Sequence, residues 1–114
     1  MQRIILDTDF LINLLKNRIR LQEELQRILD DNFEVYILDK TLEELKGKPN
    51  EKIALEYAKK LNILPTSKDK SVDDLILGYK DYIIATQDKA LKEKLKKAHF
   101  SIITIRQNKF LVIQ

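Results

Sequence analysis

The 114-residue chain is long enough for one hydrophobic core and too short for a second, so residues 1–114 are expected to form a single domain. Hydrophobic residues make up 44% and charged residues 34%, and no apolar run approaches a membrane span of about 20 residues, which excludes membrane insertion. With no cysteine and one histidine, thiolate sites are excluded, and any metal must be held by oxygen. No export signal is visible, so the cytoplasm is the expected location.

A buried strand that ends in acid organises the start of the chain. The apolar residues 4–6 run directly into Asp7, Thr8 and Asp9, and an apolar segment with helical spacing follows. Ligands of open α/β sheets bind beyond the carboxyl ends of the strands, so Asp7 is expected to face a site. Alternatively, Asp7 or Thr8 caps the following helix, because short oxygen-bearing side chains accept hydrogen bonds from free amides at helix starts.

The next elements favour a mostly parallel sheet. Apolar spacing predicts a helix at about residues 21–29 and a polar turn at 30–32, and the β-rich run 33–38 predicts a second buried strand. Two helices between these strands fit a right-handed crossover.

A short acidic helix is predicted at residues 39–47, capped by Asp39 or Thr41 and ended by a glycine. Glu43 and Glu44 lie just past the second strand, so one of them could project toward the crevice beyond the first strand. Alternatively, Thr41 and Glu44 form a capping box, in which the glutamate reaches back to the cap amide.

The middle of the chain predicts a helix at about residues 50–61, a short third strand at 63–65 and a loop at 66–70. Because Pro65 has no amide hydrogen to donate, the third strand is expected at the edge of the sheet.

Two adjacent acids begin the next predicted helix. With Ser71 as its cap, Asp74 falls where it can complete a capping box, whereas Asp73 has no local role. Asp73 is therefore the better candidate ligand. Alternatively, it only interacts favourably with the helix dipole in the first turn.

The fourth predicted strand repeats the arrangement of the first. Residues 82–85 run into Thr86, Gln87 and Asp88, and a lysine-rich helix follows, which Asp88 could cap. Two strands that end in acid suggest a shared pocket. A fifth strand is predicted at 101–105, and residues 110–113 could pair back as a sixth.

The lysine-rich helix could bind a polyanion beside the acidic pocket. Lys89, Lys92 and Lys96 are the predicted polyanion-binding residues, with Lys94 and Lys97 nearby. Alternatively, these lysines form a solvated helix face.

Carboxylates from four separate elements would repel one another if folding brought them together: Asp7, Glu44, Asp73 and Asp88. A divalent cation would neutralise them, and carboxylate and water ligands suit Mg²⁺ or Mn²⁺. Such a centre binds phosphate oxygens and activates water, so it needs no histidine or cysteine.

Four motifs in this order resemble those of PIN-domain ribonucleases: LDTDFL at 6–11, LEEL at 42–45, SVDDLIL at 71–77 and IIATQDKAL at 83–91. The resemblance implies a three-layer α/β/α fold whose mostly parallel five-stranded sheet has the order 3-2-1-4-5. It also implies Mg²⁺- or Mn²⁺-dependent endonuclease cleavage of RNA, and frequent homodimers.

Residue by residue, the resemblance assigns the four motif acids as catalytic: Asp7, Glu44, Asp73 and Asp88. The metal ligands among them would be Asp7, Asp73 and Asp88, and the supporting residues would be Thr8 and Thr86. Glu43 and Asp74 stay open as register alternatives. Asp9 and Gln87 stand where the family commonly has Asn or Ser, and Asn, respectively.

The RQNKFL segment and the short length resemble archaeal PIN proteins akin to rRNA-processing nucleases more than VapC-type toxins. RNA is the expected partner, with Lys89, Lys92 and Lys96 as the predicted RNA-binding residues. A further partner would be either an antitoxin or a ribosome-assembly protein. Two other functions stay open. The Asp-x-Asp motif also fits haloacid-dehalogenase-like phosphatases, and a PIN-like scaffold could bind RNA without cutting it.

Overall fold

The computed structural model describes residues 1–30, 32–66 and 69–114. The strands in these ranges are β1 (Gln2–Leu6), β2 (Phe33–Leu38), β3 (Asn62–Leu64), β4 (Ile83–Ala85), β5 (Ile102–Arg106) and β6 (Phe110–Ile113). The helices are α1 (Thr8–Lys16), α2 (Leu21–Ile28), α3 (Asp39–Leu45), α4 (Glu51–Ala58), α5 (Val72–Ile76) and α6 (Lys89–Lys97). The predicted turn at 30–32 and loop at 66–70 lie partly outside the described residues, at Asp31, Ser67 and Lys68.

The strands form one sheet in the order β3-β2-β1-β4-β5-β6. Strands β1 to β5 are parallel, which confirms the predicted order 3-2-1-4-5 and the edge position of β3. The sheet has a sixth strand beyond the five that the resemblance implied, because β6 turns back and pairs antiparallel with β5. Gln107 and Asn108 make this turn with φ of 56° and 55°, a region that asparagine tolerates better than most residues.

Side chains that alternate along the strands build two cores, one on each face of the sheet. Ile4 and Leu6 of β1 point to the face covered by α1, α2, α3 and α4. Ile5 points to the opposite face, which α5 and α6 cover. This is the predicted three-layer α/β/α arrangement, and the carboxyl ends of the parallel strands lie at one edge of its sheet.

Several predicted boundaries differ from the structure. The cap predicted for α3 is wrong, because the helix begins directly after β2 with Leu38 at its N-cap, so Asp39 and Thr41 lie inside it. Asp39 instead accepts hydrogen bonds from the backbone amide (3.1 Å) and hydroxyl (2.5 Å) of Thr66. Helix α4 ends at Ala58, before its predicted end at about residue 61, and helix α5 has only five residues.

Helix α2 closes part of the free edge of β6. Glu24 Oε1 accepts a hydrogen bond from the Leu111 amide at 2.8 Å, and Arg27 donates to the Leu111 carbonyl at 2.6 Å. An edge strand with unpaired backbone groups is a template for pairing with other chains, so these side chains protect the sheet. None of the helices in the described residues is long and apolar enough to cross a membrane.

Candidate active site

The ends of β1 and β4 lie side by side in the middle of the sheet. Leu6 is paired with Ala85, and the Asp7 amide donates to the Ala85 carbonyl at 3.0 Å. The strand order therefore brings the residues that follow β1 next to Thr86 and Asp88, which follow β4.

Asp7 caps α1 and also contacts the neighbouring strand end. It is only 5% exposed, and its Oδ1 accepts a hydrogen bond from the Phe10 amide at 2.7 Å. Its Oδ2 accepts a hydrogen bond from the hydroxyl of Thr86, which is fully buried. The capping role considered from the sequence is therefore real, and it coexists with a contact across the sheet.

Thr86 joins two of the predicted acids. Besides donating to Asp7, its hydroxyl oxygen accepts a hydrogen bond from the Asp88 amide at 3.1 Å. Asp88 in turn caps α6, because its Oδ1 accepts from the Leu91 amide at 2.9 Å.

Glu44 reaches the same region from α3. The Thr8 hydroxyl donates a hydrogen bond to Glu44 Oε1, and the hydroxyl oxygens of Thr8 and buried Thr41 lie 3.4 Å apart. The capping box considered for Thr41 and Glu44 does not form, since Thr41 lies inside the helix. Glu43, the neighbouring acid, lines a different cavity.

Helix α5 brings in the remaining predicted acid. Ser71 caps the helix, as the sequence predicted, and its Oγ accepts from the Asp74 amide at 3.2 Å. Asp73 is partly buried, whereas Asp74 is exposed.

All four predicted catalytic acids line one open cavity of about 360 Å³. Its wall is formed by Asp7, Thr8, Asp9, Glu44, Lys48, Ser71, Val72, Asp73 and Asp88. Glu43, Asp74 and buried Thr86 do not line it, although Thr86 supports it through Asp7.

Asp9 and Lys48 in this wall were not among the predicted site residues. The Asp-x-Asp spacing could have indicated Asp9, which lies in the first turn of α1. Lys48 has no comparable signal, because its position depends on the turn between α3 and α4, where Gly47 and Asn50 adopt φ of 80° and 60°.

The cavity is strongly acidic, with five carboxylates and one lysine along its wall. The pKa of Asp7 is raised from 3.8 to about 7, chiefly because the side chain is buried; hydrogen bonds from Thr86 and the Phe10 amide oppose this rise, and the charges of nearby Asp9 and Asp73 contribute to it. Burial also raises the pKa of Asp73, and Asp88 and Glu44 add to this, while Lys94 lowers it. Neighbouring carboxylates thus oppose the ionisation of Asp7 and Asp73.

The donor set fits a hydrated divalent ion better than a closed cage. Within residues 1–30, 32–66 and 69–114, no three acidic or histidine side chains are grouped tightly enough to hold an ion by themselves. Mg²⁺ usually keeps several waters and binds through one or two carboxylates, and an open cavity lined by acids provides such ligands. The residues present are therefore compatible with Mg²⁺ or Mn²⁺.

The three predicted RNA-binding lysines differ in their surroundings. Lys89 and Lys96 are exposed on α6. Lys92 is partly buried, and its ammonium donates a hydrogen bond to Thr104 Oγ1 at 2.7 Å. Burial, more than its lysine neighbours, lowers the pKa of Lys92, while Asp7 opposes the shift. A role in RNA binding stays a prediction for all three.

Comparison with known proteins places the whole arrangement in a family. A family model described as a PIN like domain matches residues 4–108. The chain is 35% identical over 127 aligned residues to Ribonuclease VapC4 of Methanocaldococcus jannaschii, with 99% of this chain and 97% of the relative covered. The structure of the PIN domain endonuclease Utp24 matches with a TM-score of 0.85 at 30% identity, over 98% of this chain and 90% of that one. The resemblance inferred from the four motifs is thus confirmed, and the chain belongs to the PIN-domain family.

Proposed function

We propose that this protein is a divalent-metal-dependent endoribonuclease. The observation that carries the proposal is the acidic cavity, on which carboxylates from the ends of β1 and β4 and from α3 and α5 converge. Its relatives named as a ribonuclease and an endonuclease support this assignment. A hydrolase of this kind cleaves phosphodiester bonds without histidine or cysteine.

The proposed roles follow from the position of each side chain. Asp7 and Asp73 would hold the principal ion, and Asp88 would assist or hold a second. When bound, the ion would supply Lewis-acid chemistry at the phosphodiester. Glu44 would orient the attacking water, because the hydrogen bond from Thr8 fixes one of its oxygens and leaves the other available. Lys48 is the only positive side chain among the described residues that line the cavity, so it is placed to contact RNA phosphate.

Neighbouring acids offer a matched test of these roles. Single-stranded RNA is incubated with Mn²⁺ and wild type, Asp73→Asn or Asp74→Asn. We expect Asp73→Asn to cleave far more slowly, whereas Asp74→Asn should cleave like wild type, because only Asp73 lines the cavity. Equal rates for the two variants would contradict the assignment.

Glu44→Gln should likewise cleave far more slowly than wild type, whereas Glu43→Gln should cleave like wild type, because Glu43 lines a separate cavity. RNA that binds but is not cleaved by wild type in Mg²⁺ or Mn²⁺ would favour the non-catalytic alternative.

A toxin role is a second candidate, because the 35% identical relative bears the name VapC. Under this alternative, expression of wild type in a bacterial host should arrest growth, and the Asp7→Asn variant should not. Normal growth at matched expression would favour the RNA-processing role suggested by the sequence motifs.

A further inference from the structure

The side chain of Gln87 is bound to the backbone of β5. Its Oε1 accepts hydrogen bonds from the Ile105 amide at 2.6 Å and from the Thr104 hydroxyl at 2.5 Å. Its Nε2 donates to the Ile105 carbonyl at 3.2 Å. A single amide side chain therefore satisfies both backbone groups of a residue that is only 7% exposed.

These bonds replace the next rung of the β4–β5 ladder. The amides of Ile84 and Thr86 donate to the carbonyls of Ser101 and Ile103, at 3.1 and 3.0 Å. If this pattern continued two residues further along both strands, the Asp88 amide would donate to the Ile105 carbonyl.

Instead, the Asp88 amide donates to the Thr86 hydroxyl. Gln87 takes over the Ile105 carbonyl and amide, which would otherwise lose their partners in the ladder. The chain can therefore leave the sheet at this point without burying unsatisfied backbone groups.

The turn made possible by Gln87 connects both of its neighbours to the acidic cavity, Asp88 directly and Thr86 through Asp7. Thr86 donates to Asp7, and Asp88 lines the cavity and caps α6. Beyond Gln87, Thr104 accepts a hydrogen bond from the Lys92 ammonium at 2.7 Å. The network thus extends from α6, through β5, to the residues that contact Asp7.

We infer that Gln87 is a positioning residue, which holds Thr86 and Asp88 in place by substituting for a ladder rung on β5. The consequence for cleavage rests on the proposed function, whereas the consequence for local structure does not. Supporting groups of this kind change the activity of a metal centre by acting through the residues that contact it.

The test uses Gln87→Met, which removes both hydrogen-bonding groups and keeps a side chain of similar length. Gln22→Met, at an exposed position on α2, is the matched control. Hydrogen exchange of the individual backbone amides is measured in the absence of metal. We expect faster exchange at Asp88 in Gln87→Met, together with wild-type exchange in β1 and β2, because the perturbation is local. Unchanged exchange at Asp88, or equal acceleration throughout the sheet, would overturn the inference.

Steady-state RNA cleavage with Mn²⁺ provides the second readout. We expect kcat of Gln87→Met to fall by about 10- to 100-fold, as for other supporting residues of metal centres. KM should stay within about twofold, because Gln87 does not line the RNA-facing cavity. A folded variant with wild-type kcat would overturn the role in catalysis. If wild type itself cleaves no RNA, the proposed function fails, and amide exchange alone decides whether Gln87 positions its neighbours.

Discussion

Replacing Asp7 with Asn is expected to stabilise the metal-free protein at alkaline pH. Burial raises the pKa of Asp7 from 3.8 to about 7, so the folded chain binds this proton more tightly than the unfolded chain does. The contribution of Asp7 to the free energy of unfolding should therefore fall as the pH rises from about 4 to about 7 and stay level above that. At about 1.4 kcal/mol per pKa unit, the ionised carboxylate costs about 4 kcal/mol at pH 8 and about 1.5 kcal/mol at pH 5.

The asparagine variant avoids this cost and keeps the cap. Its amide oxygen can accept from the Phe10 amide, and its amide nitrogen can donate to the Thr86 hydroxyl oxygen. In urea unfolding with EDTA at pH 8, Asp7→Asn should therefore have a higher free energy of unfolding than wild type. At pH 5 the difference between the two proteins should be about 2.5 kcal/mol smaller. Subtracting the free energy of unfolding of wild type from that of the variant removes the contributions of groups that titrate in both proteins.

Asp81→Asn, at an exposed acid outside the cavity, is the control for the loss of one carboxylate. Adding Mn²⁺ at pH 8 should then stabilise wild type more than Asp7→Asn, since binding to the folded state adds to its stability. A stability difference between wild type and Asp7→Asn that is the same at pH 5 and pH 8 would refute the reasoning.

Three other predictions concern RNA, metal and the sheet edge. Changing Lys89 and Lys96 together to Glu should weaken RNA binding and reduce the slope of log affinity against log salt concentration by about 2. An unchanged slope in filter-binding measurements would show that these lysines form only a solvated helix face. Excess EDTA should abolish RNA cleavage and Mn²⁺ should restore it; cleavage that persists in EDTA would contradict metal dependence. Glu24→Ala should lower the free energy of unfolding by about 1–3 kcal/mol, because the buried Leu111 amide loses its acceptor. Glu23→Ala, in an exposed ion pair, should cost less than about 1 kcal/mol, and equal losses in urea unfolding would argue against edge protection.

Helix-capping rules distinguished the adjacent acids of α5 but not those of α3. At α5, Ser71 is the cap that its sequence context indicated, and Asp73 lines the cavity while Asp74 is exposed. At α3 the capping rule fails, because the helix continues directly from β2. Glu44 is instead distinguished from Glu43 by its contact with Thr8, which belongs to another element and is distant in the sequence.

The hydrogen bonds that hold the fourth motif, residues 83–91, could not be predicted from local sequence. Gln87 contacts Thr104 and Ile105, which are 17 and 18 residues away, and these contacts depend on the register of β5 against β4. Sequence periodicity predicts that both strands exist, but it carries no information on where their ladder stops. The position of Lys48 could not be predicted either, because it depends on the turn between α3 and α4.

The sequence posed helix capping and metal binding as alternatives for Asp7 and Asp88, but the structure makes them compatible. A carboxylate has two oxygens and about four acceptor sites, and a cap amide uses one. Asp88 Oδ1 accepts a hydrogen bond from the Leu91 amide. Asp7 Oδ1 accepts from the Phe10 amide, and its Oδ2 accepts from the Thr86 hydroxyl. Each cap holds its carboxylate at the end of a strand, beside the cavity. Under the proposed function, capping would preorganise these acids for a cation, since a side chain already held by the fold loses less conformational entropy when an ion binds.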